Sequence, residues 1–356
     1  MIDYATFVCS DIPVIEHLTS HFFWERKEVF ECVRNMRYAF RLYNPDNMTG
    51  NHIKIESLGF GKCLKITGSL RKWYLGERVI RDSFEDFTKP EFDDALKQLF
   101  SLLEIPDEMR KFFEISSMEV GLTIPVKEMC SVIIRMICGF KSFSYKPTYP
   151  EEECKKFSTE HVNYKVYNKA LEISTNIDNK SDRERFLSSI GEKNYLRIES
   201  KIKGGKCAIE NHFKKRFKLS NLEDLITNFD ELYDYFWDDI EKNMKVSSLY
   251  VQEPIFDPKG KSPGEMMNYF RILGMYYCGE DKTNLIAKQS NSPKDARKAI
   301  TNERQKATFR KGSYNKDSLL DDIREQLLRL IDREKALKEK EGKIPPKKNK
   351  KRLLII

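Results

Sequence analysis

The stretch VNYKVYNK, residues 162–169, alternates apolar and polar side chains, and this alternation decides how the chain is expected to fold. Successive residues of a β-strand point to opposite faces of a sheet, so residues of the same parity share a face. The apolar set is Val162, Tyr164 and Val166, and the polar set is Asn163, Lys165, Tyr167 and Lys169. The segment therefore predicts a strand with one buried and one polar face, and it places Tyr167 among the lysines.

Three further segments have the same two-residue period: NYLRIESKIK at 194–203, SSMEVGLTIPV at 116–126 and GKCLKIT at 61–67. Their polar sets are Tyr195, Arg197, Glu199 and Lys201 in the first, Glu119, Gly121 and Thr123 in the second, and Lys65 and Thr67 in the third. An antiparallel sheet with one face exposed to solvent has this pattern. An ordinary solvated face and a functional polar face both remain open at this point.

Helical periods and further strands surround these segments. Strands are predicted at 2–8 and, as a hairpin, at 52–58 and 61–70; helices are predicted at 83–106, 126–139, 204–217 and 220–244. Ser220 and Glu223 form a capping-box pattern at the start of the last helix. The predicted fold class is α+β, an antiparallel sheet flanked by helices, with a helical C-terminal extension.

The chain changes character near residue 250. Residues 251–264 carry Pro and Gly and are predicted to link a domain at 1–250 to a helical region at 265–343, with helices at 265–277 and 316–342. A basic tail follows at 344–356. Its cations are candidate DNA contacts, although a solvated terminus explains them as well. They are Lys347, Lys348, Lys350, Lys351 and Arg352.

The amino-acid composition limits the classes to which the protein can belong. The chain has 356 residues, a hydrophobic share of 40% and a formal charge of +8, which permits nucleic-acid binding without requiring it. Its eight cysteines show no CxxC spacing, which favours reduced thiols over a zinc site or a disulfide framework. No signal-peptide pattern and no apolar run of ~18 residues occurs. We expect a soluble, cytoplasmic protein with no membrane partner.

The polar residues of the predicted sheet suggest a reaction. Cations near a tyrosine favour its phenolate, so Lys165 and Lys169 are expected to activate Tyr167. Glu119 and Glu199 are candidate ligands for a divalent metal. Tyr167 would attack a phosphodiester while Arg197 and the lysines hold its non-bridging oxygens.

Several segments resemble the filamentous-phage replication initiators of the gene II protein type, which are rolling-circle replication initiators. The matching pieces occur in the order expected for that family over roughly residues 1–245. They are MID at 1–3, ITGSLRKWYLGE at 66–77, MEVGLTIPV at 118–126, FSTEHVNYKVYNKALE at 157–172, YLRIESKIK at 195–203 and LSNLEDLI at 219–226. The VYNK element followed by LRIE is the most specific part of the likeness.

The resemblance implies a nickase that cuts one strand of double-stranded origin DNA, stays joined to the 5′ phosphate and leaves a 3′ hydroxyl. Single-stranded DNA, a host helicase and a host polymerase are the implied partners, and Mg²⁺ or Mn²⁺ the implied cofactor. By the same resemblance Tyr167 is the nucleophile, Lys169 belongs to its motif, and Glu119 and Glu199 are the acids. Tyr164 is a candidate second nucleophile, and Lys65 and Lys201 are candidate DNA contacts.

The sequence departs from many rolling-circle initiators in one respect. They bind metal with two histidines separated by one residue, and no such triplet is present here. Metal binding would then depend on carboxylates. The competing hypothesis is a non-catalytic, sequence-specific DNA-binding protein with the same fold.

Overall fold

The fold is known from a computed structural model, which describes most of the chain. The described residues are 1–21, 25–27, 37–45, 51–58, 62–75, 84–141, 144–146, 153–191, 193–246, 262–267, 270–271, 274, 287–306 and 314–340. These residues form an antiparallel sheet with helices around it, so the predicted α+β class is confirmed. No helix among them is both long enough and apolar enough to cross a bilayer.

The strands account for the alternating segments found in the sequence. They are Ile2–Cys9 (β1), Glu25–Lys27 (β2), Arg37–Tyr43 (β3), His52–Leu58 (β4), Cys63–Ser69 (β5), Phe113–Val126 (β6), Ile137–Phe140 (β7), Ser144–Lys146 (β8), Cys154–Ser158 (β9), Val162–Asn168 (β10), Asn194–Ile202 (β11) and Met244–Val246 (β12). Ten of them form one sheet in the order β2-β3-β4-β5-β1-β6-β11-β10-β9-β8, and β12 pairs with β7. The predicted hairpin is the antiparallel pair β4–β5.

The helices follow the strands closely along the chain. The α-helices are Ile12–His21, Leu70–Leu75, Lys89–Leu102, Cys130–Met136, Lys169–Thr175, Lys180–Ile190, Lys206–Phe213, Leu222–Thr227, Glu231–Asn243, Pro293–Lys306 and Lys316–Lys340, and Asp107–Phe112 is a 3-10 helix. Leu70–Leu75 begins directly after β5, where the hydroxyl of Ser69 accepts from the backbone N–H of Lys72 at 3.2 Å. This hydroxyl satisfies a donor that a helix start leaves without a partner.

Four predicted helices are wrong in extent. The one predicted at 83–106 covers only Lys89–Leu102, with Thr88 as its N-cap, and the one predicted at 204–217 covers only Lys206–Phe213. The segment at 126–139 is helical only over Cys130–Met136, because residues 137–140 pair with β12 as a strand and Gly139 lies inside it. The helix predicted at 220–244 is two helices with a break near Asn228. Its N-cap is Asn221, whose side chain accepts from the backbone N–H of Asp224, so the capping residue lies one position beyond Ser220.

The core lies on the apolar face of the sheet and extends to the C-terminal helix Lys316–Lys340. Met118, Val120 and Leu122 of β6 are fully buried there. The C-terminal helix joins the same cluster through a stripe at helical spacing: Leu319, Ile323, Leu327, Leu330 and Ile331. The predicted boundary at 251–264 stays a prediction, since residues 247–261 lie outside the described part of the chain.

Candidate active site

The opposite, polar face gathers charged groups from four neighbouring strands: β1, β6, β11 and β10. The register sets Glu199 of β11 opposite Gly121 of β6 and Lys165 of β10. Tyr167 pairs with Arg197 in the same ladder. The parity prediction for these residues holds, because the strands are regular at this point.

Asp3, Glu119 and Glu199 form a cluster of three acids, one from each of β1, β6 and β11. One carboxylate oxygen from each lies within 4.8 Å of the other two. Burial, then the charges of Glu199 and Asp3, raises the pKa of Glu119 to about 7. Three hard oxygen ligands held this close suit a divalent cation such as Mg²⁺ or Mn²⁺. We call these residues the acid triad.

Asp3 is the member of the acid triad that the sequence reading missed. Strict alternation in β1 would put it with Ala5 and Phe7, on the core face. The pairing of β1 with β6 shifts between Ile2 and Ala5, and both of these residues face the core. Asp3 therefore reaches the polar face, where it accepts from the hydroxyl of Ser69 at 2.6 Å. The sequence signal available for Asp3 was the MID element at residues 1–3, one of the segments that carry the resemblance.

Gly121 makes room for the triad because it carries no side chain. A Cβ at this position would lie 2.9 Å from Cγ of Glu199, 3.0 Å from the carbonyl oxygen of Ile198 and 3.1 Å from Nη2 of Arg197. The first distance is shorter than real Cβ contacts show, and the other two are tighter than most of them. The close approach of β6 and β11 at Glu199 depends on this glycine.

We expect Gly121→Ala to displace the Glu199 side chain or spread the two strands. The free energy of unfolding should fall by roughly 1–3 kcal/mol, the usual cost of overpacking, and cation binding should weaken. Thermal unfolding with and without Mn²⁺ measures both effects. The control is Gly139→Ala, whose Cβ would lie 3.5 Å from Cδ of Lys245, an ordinary contact. Equal behaviour of the two variants would contradict the steric argument.

Tyr167 is 5% exposed, and its hydroxyl donates to Oε1 of Glu199 at 2.7 Å. Nζ of Lys165 lies 3.9 Å from the ring centroid and that of Lys169 5.8 Å from it. Burial, followed by the charge of Glu199, raises the pKa of the phenol far above its ordinary value. The expected net lowering of the Tyr167 pKa is therefore wrong for the arrangement observed, because burial and Glu199 dominate.

Arg197 is 1% exposed and donates hydrogen bonds to several residues of the site. Its Nε donates to Oε1 of Glu199 at 2.7 Å, the same oxygen that accepts from Tyr167. Its Nη1 donates to Asp86 at 2.7 Å and to the Thr123 hydroxyl at 2.8 Å. Burial alone would lower its pKa, but Asp86 and Glu199 hold it well above the ordinary value. Arg197 thus holds Glu199 in position, and its Nη2 makes no hydrogen bond to any residue that the structure describes.

No protein-family model matches this sequence, and no characterised protein matches it either. Among solved structures, a rolling circle replication initiator protein from Geobacillus stearothermophilus is similar over 77% of this chain and 96% of that chain. The TM-score is 0.32 and the sequence identity is 8%. Values this low do not establish a common fold.

The predicted lysines occupy different places around the site. Lys169 opens the helix Lys169–Thr175, is buried, and donates to Glu172 at 2.8 Å; burial and then Arg197 lower its pKa. Lys201 lies 3.7 Å from Oε2 of Glu119, beside the triad. Lys65 lies farther along the polar face, 4.0 Å from Glu56. The cations at 347–352 lie outside the described residues.

Tyr164 is on the other side of the sheet. It is 1% exposed, stacks on Phe140 with the ring centroids 4.4 Å apart, and donates its hydroxyl to Asp239. Burial, followed by Tyr235 and Asp239, raises the pKa of its phenol. The structure does not bring Tyr164 together with the acid triad.

The C-terminal helix supports the site through Arg333, a contribution that local sequence patterns did not indicate. Its Nη1 donates to Glu85 at 2.9 Å, and its Nη2 donates to the carbonyl oxygen of Asp86 at 3.0 Å and to Glu91. The carboxylate of Asp86 in turn holds Arg197. A chain of direct contacts thus runs from Arg333 through Asp86 and Arg197 to Glu199.

We expect Arg333→Ala to weaken Mn²⁺ binding at the acid triad severalfold while leaving the protein folded, because Asp86 and Arg197 lose support and hold Glu199 less firmly. The control is Arg329→Ala, one turn earlier on the same helix, whose partner is Glu325 of that helix. The affinity for Mn²⁺ and the unfolding temperature are measured for both. A Mn²⁺ affinity that stays at the wild-type value in Arg333→Ala would rule out this support.

Proposed function

We propose that this protein starts rolling-circle replication of a phage or plasmid by nicking one strand of double-stranded DNA with Tyr167. The observation that carries the proposal is the 2.7 Å hydrogen bond from the Tyr167 hydroxyl to Glu199, a buried member of the acid triad. A nucleophile, an adjacent base and a candidate cation site then occupy one face of the sheet.

The residues have separate roles in the proposed reaction. Oη of Tyr167 forms a bond to phosphorus as its proton passes to Glu199, and the bond from phosphorus to the 3′ oxygen breaks. That oxygen takes up a proton and leaves as a free 3′ hydroxyl, while the 5′ phosphate stays on the tyrosine. Attack by a 3′ hydroxyl on the phosphotyrosine reverses the step and rejoins strands.

The acid triad would hold the cation, Mg²⁺ or Mn²⁺. A bound cation supplies positive charge beside the phosphate and offsets the carboxylates that now disfavour the phenolate. Arg197 keeps Glu199 aligned to accept the Tyr167 proton. Lys165 and Lys201 lie at the edges of the site, where they suit contacts to the strand.

The partners follow from the proposed reaction. The substrate is double-stranded origin DNA, and nicking exposes single-stranded DNA. A host helicase would separate the strands and a host polymerase would extend the 3′ hydroxyl.

A second function is favoured by one observation, the burial of Tyr167 together with its raised phenol pKa. A tyrosine that stays in this state would not react, and the protein would then be a DNA-binding regulator on the same sheet. Retention of origin DNA without cleavage would support that alternative.

The deciding experiment incubates the full chain with supercoiled DNA of the replicon that carries its gene, with Mg²⁺, Mn²⁺ or a chelator. We expect cation-dependent conversion to nicked circles and a protein-linked strand. Proteolysis followed by mass spectrometry of the DNA-linked peptide should place the adduct on Tyr167. DNA binding without nicked product under every condition would favour the regulator.

A further inference from the structure

Arg71 is a buried cation beside the acid triad that the proposed chemistry does not yet use. It lies in the helix Leu70–Leu75 and is 1% exposed. Its Nη1 donates to the carbonyl oxygen of Glu85 at 3.4 Å, and its Nε stands 3.5 Å from Oδ1 of Asp3. Among the residues that the structure describes, neither Nε nor Nη2 has a hydrogen-bond partner.

Arg197 faces the same carboxylate with its other oxygen. Its Nη2 lies 3.6 Å from Oδ2 of Asp3 and, within the described part of the chain, makes no hydrogen bond either. Its Nε and Nη1 are bonded elsewhere, to Glu199, Asp86 and Thr123. Two buried guanidinium groups beside Asp3 thus carry three nitrogens that find no acceptor among the described residues.

Unused buried donors of this kind call for an acceptor, because a buried N–H without one costs free energy. Asp3 cannot satisfy them, since both of its oxygens lie beyond good hydrogen-bond distance of these nitrogens and Oδ1 already accepts from Ser69. Nε and one Nη of an arginine form a planar fork that matches two oxygens of a phosphate. A cation cannot use these donors, but an anion can.

We propose that Arg71, with Nη2 of Arg197, forms a binding site for the non-bridging oxygens of a phosphate next to the acid triad. The ligand class is a phosphate anion, and its source is the phosphodiester of the DNA strand. This source rests on the proposed function, whereas the phosphate site itself rests on the two arginines. Arg71 positions the phosphate that Tyr167 attacks.

The test compares two small ligands that differ by one charge: thymidylyl-3′,5′-thymidine and its uncharged methylphosphonate analogue, each with the full chain and Mg²⁺. Their binding is followed by NMR, including the Nε–H signals of the arginines. Wild-type protein should bind the phosphodiester roughly tenfold or more tightly than the analogue, as expected for charge-assisted hydrogen bonds. The Arg71 Nε–H signal should shift on binding.

Arg71→Ala should lose most of this preference, and Arg71→Lys should recover only part of it because lysine lacks the fork. Arg110→Ala is the control, since Arg110 pairs with Asp93 and Asp107 and with no member of the triad. A full preference in Arg71→Ala, with Mn²⁺ affinity lowered, would overturn the proposal and leave Arg71 as an ion-pair partner of Asp3. The wild-type NMR titration decides the question if the variants do not fold.

Binding of inorganic phosphate to the same protein is measured in a separate titration. Binding of phosphate but not of the dinucleotide would overturn the assignment to a DNA strand. Loss of DNA cleavage in Tyr167→Phe is independent of this test. An Arg71-dependent preference in a protein that forms no covalent DNA adduct would therefore refute the proposed function and keep the phosphate site.

Discussion

Tyr167→Phe is expected to abolish the protein–DNA adduct and the nicked product, because the substitution removes the atom that forms the bond to phosphorus in the proposed reaction. The loss should exceed a factor of ~10³, the range found when a nucleophile is deleted. Denaturing electrophoresis of labelled DNA measures both products. DNA retention should remain close to wild type, since the ring and its contacts with Lys165 are kept.

The matched control is Tyr164→Phe, only three residues away but on the opposite face of the sheet. That variant loses the hydrogen bond to Asp239 and should lose stability. Its cleavage at a temperature below unfolding should remain near the wild-type rate. If Tyr164→Phe cleaved no DNA while Tyr167→Phe still cleaved it, the assignment of the nucleophile would be reversed and the proposed site refuted.

Glu119→Gln is expected to have two opposite effects: weaker binding of the cation and a more stable cation-free protein. Binding should weaken by roughly tenfold or more, since a hard, charged oxygen ligand is lost. Stability should rise because the pKa of Glu119 is raised to about 7 in the folded protein by burial and by Glu199. Ionising the Glu119 carboxyl in the folded, cation-free protein is therefore unfavourable.

The sign of the pH dependence follows from this raised pKa. The folded protein holds the proton of Glu119 more tightly than the unfolded chain does, because the pKa of this carboxyl group in the unfolded chain is near 4.5. Stability of the cation-free protein is therefore lost as pH rises from about 4.5 to about 7, on the order of 3 kcal/mol in total. Glu119→Gln should lack this loss, and added Mn²⁺ should offset it in the wild type.

Unfolding midpoints in urea, with chelator or with Mn²⁺, across pH 5 to 8 test both effects. The control is Glu114→Gln on the same strand, where Glu114 pairs with Lys206 and is away from the triad. A Glu119→Gln protein that is less stable than wild type with chelator at pH 8 would argue against repulsion within the triad. Unchanged Mn²⁺ affinity would remove Glu119 from the cation site.

Alternation along single strands was enough to predict much of the site. It placed Tyr167, Arg197, Glu199 and Glu119 on one face and Tyr164 on the other, because neighbouring side chains of a regular strand must alternate. Helix lengths were less predictable. Residues 137–140 form a strand because β12 offers them a partner, and no local pattern encodes that pairing.

The sequence by itself determined the α+β class, the two faces of the sheet and the polar identity of the residues on one of them. Tertiary structure alone decided which of these residues meet. A bulge in β1 brings Asp3 to Glu119 and Glu199, the helix after β5 brings Arg71 to Asp3, and the C-terminal helix brings Arg333 to Asp86. The physical reason is that periodicity is a local property, whereas strand order, register shifts and helix docking depend on contacts between residues far apart in the chain.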